Sequence, residues 1–85
     1  MKIDIYVSAN NGEKFISVPS DTDVDKMSFP DDLDEDYKDL KPFRKDLDID
    51  PSKNMVALDP VDVIGQINNK GYATHRASVT TYINP

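Results

Sequence analysis

Between Lys2 and Ala9 every second residue is apolar: Ile3, Ile5, Val7 and Ala9 alternate with Lys2, Asp4, Tyr6 and Ser8. Side chains of an extended chain point alternately to opposite faces, so this spacing predicts a half-buried β-strand. A single strand has no stability of its own and needs a partner. Asn11-Gly12 follows closely, and both residues tolerate positive φ, so the pair predicts a two-residue type I′ hairpin turn. Pairing Asn10 with Glu13 then sets Val7 opposite Ile16 and Ile5 opposite Val18, with the aliphatic residues of both strands on one face. The first expectation is therefore a hairpin over residues 2–19.

Residues 20–30 show no periodicity and read as a connection. Pro30 suits the first turn of a helix, with Ser28 as a cap and Asp31 and Asp32 favourable against the helix dipole. Leu33, Tyr37 and Leu40 then form a narrow apolar stripe on a short acidic helix that Pro42 must end. Asp46-Leu47-Asp48-Ile49-Asp50 alternates strictly, so a strand here would bury Leu47 and Ile49 and carry three carboxylates on its other face, spaced about 7 Å apart. Met55–Leu58 is an apolar run that suits a short buried strand. Asp59-Pro60 is a helix start, with Asp59 as cap. Val61, Ile64 and Ile67 are the expected buried face and Gly71 the stop, giving a capped helix over 59–71. Residues 72–84, rich in β-branched and aromatic types at Val79–Ile83, suit a closing strand.

These elements predict an α+β fold: a small single domain over residues 1–85, with an N-terminal β-hairpin, a mainly antiparallel sheet and two short helices covering one face. An 85-residue chain can bury only one core, and with 38% apolar residues that core must rest on a few aliphatic positions and seven aromatics. There is no cysteine, which removes disulfides and thiolate chemistry and fits a reducing compartment. No apolar run approaches the length of a membrane span and the first residues carry no secretory pattern, so the expected location is cytoplasmic.

The net charge of −6 is concentrated. Residues 21–50 carry twelve acids against Lys26, Lys38, Lys41, Arg44 and Lys45, a balance of −7, while the rest of the chain is close to neutral. Such a segment repels nucleic acid and acidic membranes and attracts basic protein surfaces. Asp31, Asp32, Asp34, Glu35, Asp36, Asp39, Asp46, Asp48 and Asp50 are accordingly the candidate partner-binding residues, and the expected partner is a protein with a basic surface, such as a nucleic-acid-binding protein. In size, charge and lack of catalytic groups the chain resembles, in type only, small acidic regulators and inhibitors of phages and mobile elements, including DNA mimics. The basic residues between the acids weigh against close mimicry of phosphates and suit local ion pairs.

Other chemistry has little to build on. His75 is the single histidine and three glycines make no phosphate-binding loop, so no catalytic residue, no cofactor and no enzyme activity are expected. Asp21, Asp23, Asp25 and Asp32 echo the spacing of a calcium loop, but Lys26 stands where that loop needs glycine, and no metal site is assigned. Residues 60–83 also admit a helix-turn-helix reading, with Thr74 capping a recognition helix that presents His75, Arg76, Ser78 and Thr81. Its basic endowment is small, so direct nucleic-acid binding is not the expectation. A structural subunit of a larger assembly is the third reading. The leading one is a non-catalytic protein–protein interaction module that masks a basic surface.

Overall fold

A computed structural model describes residues 1–50, 52 and 58–76 of the chain. Four strands, β1 (Lys2–Ser8), β2 (Lys14–Pro19), β3 (Leu40–Asp48) and β4 (Ala73–Arg76), form one antiparallel sheet in the order β3-β1-β2-β4. One α-helix, α1 (Pro60–Lys70), and two 3-10 turns, Val24–Lys26 and Glu35–Lys38, complete the described elements. The fold is thus α+β, with one α-helix among the described residues. The acidic helix expected after Pro30 is replaced by the short Glu35–Lys38 turn, because the stripe Leu33, Tyr37 and Leu40 packs on the sheet from an irregular chain without needing helical spacing.

The hairpin register differs from the expected one by a single residue. Tyr6 stands opposite Ile16, Val7 opposite Phe15 and Asp4 opposite Val18. A one-residue slip moves a whole strand's side chains to the other face. Ile3, Ile5 and Phe15 therefore share one side with Ile49, Leu58, Val63, Ile67 and Ala73. Tyr6, Ile16 and Val18 share the other with Tyr37 and Tyr72. The connection is a longer loop rather than a type I′ turn. Ser8 Oγ accepts from the Asn10 and Asn11 N–H groups at 3.1 Å, Asn11 Oδ1 accepts from Glu13 N–H, and Gly71 is the only described glycine at positive φ.

Both faces of the sheet are covered, not one. β2 and β3 flank β1 and both run antiparallel to it, so residues 20–39 must cross over β1. They do so with Val24, Met27, Phe29 and Leu33 turned onto the Tyr6 face. α1 packs on the opposite face over β4 and β2. It begins at Asp59, whose carboxylate accepts from Val61 N–H at 3.0 Å and Asp62 N–H at 3.3 Å. It ends at Gly71 (φ 87), whose N–H reaches the Ile67 carbonyl at 2.8 Å. Its buried residues are Pro60, Val63 and Ile67, with Ile64 half-buried. Val61, expected inside, is 61% exposed, because the 60/63/67 stripe and not the 61/64/67 one meets the sheet. Of the segments expected to be strands, residues 55–57 and 77–84 lie outside the described residues. No described helix is long and apolar enough to cross a membrane.

Candidate functional site

The acidic residues fall into three physical groups once the chain is folded. The first is structural. Asp34 caps the Glu35–Lys38 turn by accepting from Asp36 N–H at 3.0 Å, and the carboxylates of both Asp34 and Asp36 pair with Lys14 on β2, Asp36 at 2.9 Å. The hydrogen bonds from Lys14 hold the Asp34 carboxyl below its usual range, and the same contacts raise the Lys14 ammonium. These two acids pin the crossing segment to the sheet. Reversing them would disturb the fold, contrary to the expectation that they lie free on a helix surface.

The second group lies around β3, where the expected strict alternation over 46–50 fails. Register shifts interrupt β3 opposite Ile3–Tyr6, Asp46 sits in the left-handed region (φ 55), and the strand ends at Asp48. Leu47 is half-buried and Ile49 is 1% exposed, but the three aspartates are engaged differently, two through their carboxylates and one through its backbone. Asp48 accepts from the Met1 ammonium at 3.5 Å, and Asp50 accepts from Ser52 N–H and Oγ at 2.9 and 2.7 Å. Asp46 donates its backbone N–H to Asp4 at 3.0 Å.

Asp4 is the residue that reading along the sequence missed. It alternates as a solvent-side strand residue, yet it is 4% exposed because the crossing segment covers its face. Its carboxylate accepts from Asp46 N–H, from Asp21 N–H at 3.2 Å and from Ser20 Oγ at 3.4 Å, with Lys45 Nζ at 3.5 Å. Asp21 (φ 67) and Asp46 are the two described non-glycine residues at positive φ, and both direct their N–H groups at this one side chain. Burial works to raise the Asp4 pKa, but the Asp46 and Asp21 N–H groups together with Lys45 outweigh it and hold the carboxyl below 3.8. Lys45 also donates to Tyr6 Oη at 2.6 Å and lies 4.6 Å from the Tyr6 ring centroid. Around this group opens a cleft of about 440 Å³, ringed by Asp4, Tyr6, Asp21, Asp23, Lys45 and Asp46. An ionised carboxylate already holding four donors is a structural post, poorly placed to exchange protons with a substrate.

The third group is Asp31, Asp32, Glu35 and Asp39. All four are exposed, and none of their carboxylates has a partner among the described residues. Of the expected contact residues these four, together with the exposed carboxylate of Asp46, are free to meet another molecule. The calcium-like spacing does not assemble a site: Asp23 caps the Val24–Lys26 turn, accepting from Asp25 N–H at 3.0 Å, and Asp21 serves Asp4 through its backbone. Among the described residues no three acid, histidine or cysteine side chains are placed to hold a metal ion.

His75 and Ser17 form a second unanticipated pair, Nε2 to Oγ at 2.7 Å. The spacing resembles a nucleophile and its base, but Ser17 is fully buried and His75 stacks on Phe15 at 5.7 Å, so a substrate has no approach. Burial lowers the His75 pKa to about 4, against a smaller opposing pull from Asp62. His75 Nδ1 is buried without a hydrogen-bond partner among the described residues. Thr74, His75 and Arg76 belong to β4, paired with Ile16, Phe15 and Lys14, and so do not start a recognition helix at Thr74. Comparison with protein-family models, with curated proteins and with solved structures returns no match.

Proposed function

We propose that this chain is a non-catalytic protein–protein interaction module of the cytoplasm that binds and masks a basic surface of a partner protein. The observation that carries this reading is the division of labour in residues 20–39. Eight acids against Lys26 give residues 21–36 a balance of −7. The segment's apolar side chains and the Lys14 contacts fasten it across the sheet, while Asp31, Asp32, Glu35 and Asp39 stay exposed with no ion pair among the described residues. Fixed charges of one sign on a supported backbone steer an oppositely charged partner at little ordering cost. Close imitation of a nucleic-acid backbone is the less favoured form of this reading, because Lys38 stands directly beside these acids.

The test is a binding isotherm against the partner recovered by affinity capture, for wild type and for Asp31→Lys/Asp32→Lys/Glu35→Lys, at rising salt. Affinity should fall with salt, which screens charges over about 8 Å at physiological strength. The folded triple variant should bind at least about tenfold more weakly, the equivalent of about 1.4 kcal/mol. Equal binding by the folded variant would locate the contact elsewhere and refute the proposal.

A further inference from the structure

The sheet has two edges, and they are finished differently. At β4 the Gln66 side chain accepts from Thr74 N–H at 3.1 Å and donates to its carbonyl at 3.2 Å, so the helix closes that edge. β3, at the other end, has no backbone partner on its outer side among the described residues. Along it stand Lys41 and Arg44, both exposed, with side chains that have no ion pair, hydrogen bond or ring contact among the described residues. Lys41 lies opposite Val7 and Arg44 opposite Ile5, so the extra residue at the register shift between them sets the two on one face. Lys14, Lys45 and Arg76, by contrast, are each engaged with a carboxylate. A chain of net charge −6 thus keeps two cations with no ion pair among the described residues on one edge strand.

Strand addition is not what this edge favours. Pro42 supplies no N–H, and the register shifts bend the strand, both of which blunt main-chain pairing. What remains on offer is charge. We propose that the β3 edge, through Lys41 and Arg44, docks the exposed acidic residues Asp31, Asp32 and Glu35 of a second copy of this chain. The two surfaces are opposite in sign, and among the described residues neither has an ion pair. The two surfaces differ, so the contact is heterologous and extends into open chains of copies rather than closing as a two-fold dimer. The inference rests on the proposed function only in taking the acidic residues as a docking surface.

Sedimentation velocity of the full chain at about 50 mM salt should show a weight-average mass that rises with protein concentration, and the rise should vanish at about 500 mM salt, where screening is several-fold shorter. Lys41→Glu/Arg44→Glu should be monomeric throughout, as should Asp31→Lys/Asp32→Lys/Glu35→Lys. Combining all five substitutions reverses both surfaces and should restore association, which separates a specific contact from the change in net charge. Circular dichroism confirms that each variant is folded. A wild type that stays monomeric at low salt, or association that survives reversal of the edge alone, overturns the proposal. So does retardation of a DNA duplex by wild type and not by the edge variant, which would assign the edge to nucleic acid. The edge variant should still bind the basic partner. If self-association fails while partner binding follows the acidic residues, this inference falls and the proposed function stands.

Discussion

Replacing Asp4 by Ala removes the acceptor that two reversed backbone segments share. Asp21 and Asp46 each adopt a left-handed conformation that costs an L-residue about 1–2 kcal/mol. Each is held there in part by an N–H bond to the Asp4 carboxylate, at 3.2 and 3.0 Å. Hydrogen bonds to a charged group contribute about 1.5–3 kcal/mol each. The cleft beside Asp4 is open, so water replaces part of what is lost, and a net destabilisation of about 2–4 kcal/mol is expected. In a domain of this size that lowers Tm by about 10–25 °C. Thermal and urea unfolding, followed by circular dichroism, read it directly. Asp4→Asn keeps the shape and one acceptor oxygen but loses the charge, and should fall between wild type and Ala.

The same pair carries a signature in pH. The folded Asp4 pKa lies below its unfolded value near 3.8, so the unfolded chain takes up the proton first as pH falls. Its contribution is therefore fully present above about pH 4 and is lost as pH drops through the folded value, and Asp4→Asn should lack this limb. A loss under about 1 kcal/mol in Asp4→Ala, the size of an ordinary surface substitution, would refute the role assigned to this carboxylate.

Two further predictions concern other sites. His75 has a folded pKa of about 4 against 6.5 unfolded, so its neutral form contributes stability fully present above pH 6.5 and lost as pH falls towards 4, on the order of 3 kcal/mol across that window; an NMR titration of the ring near 6.5 would contradict its burial. Gly12 is not at positive φ and a Cβ there meets open space, so Gly12→Ala should be neutral or stabilising by up to about 1 kcal/mol, whereas Gly71→Ala, at φ 87, should cost about 1 kcal/mol. Equilibrium unfolding in urea compares the two, and the reverse order would restore the type I′ turn.

What local chemistry alone determines is visible at α1 and β1. A capping carboxylate, a proline and a left-handed glycine act within a few residues of one another, so Asp59, Pro60 and Gly71 delimit α1 without reference to the rest of the molecule. The alternation of Ile3, Ile5 and Val7 likewise makes a strand wherever it is placed. Register was not legible, because the aliphatic pattern decides pairing only when one face of a hairpin is buried. Here residues 20–39 cover the second face, so Tyr6, Ile16 and Val18 are as welcome there as Ile3 and Phe15 are under α1. With both faces apolar, the Ser8 and Asn11 side-chain bonds in the loop are left to help set the pairing.

The candidate site divides in the same way. That the acids cluster in the middle of the chain is a property of the sequence. Which of them are free is not, because the cations and N–H groups that occupy them come from distant strands and turns. Lys14 is 20 residues from Asp34, and Asp46 is 42 residues from Asp4. Only the crossing of residues 20–39 over β1 brings those groups together, consuming Asp34 and Asp36, burying Asp4, and leaving Asp31, Asp32, Glu35 and Asp39 facing solvent.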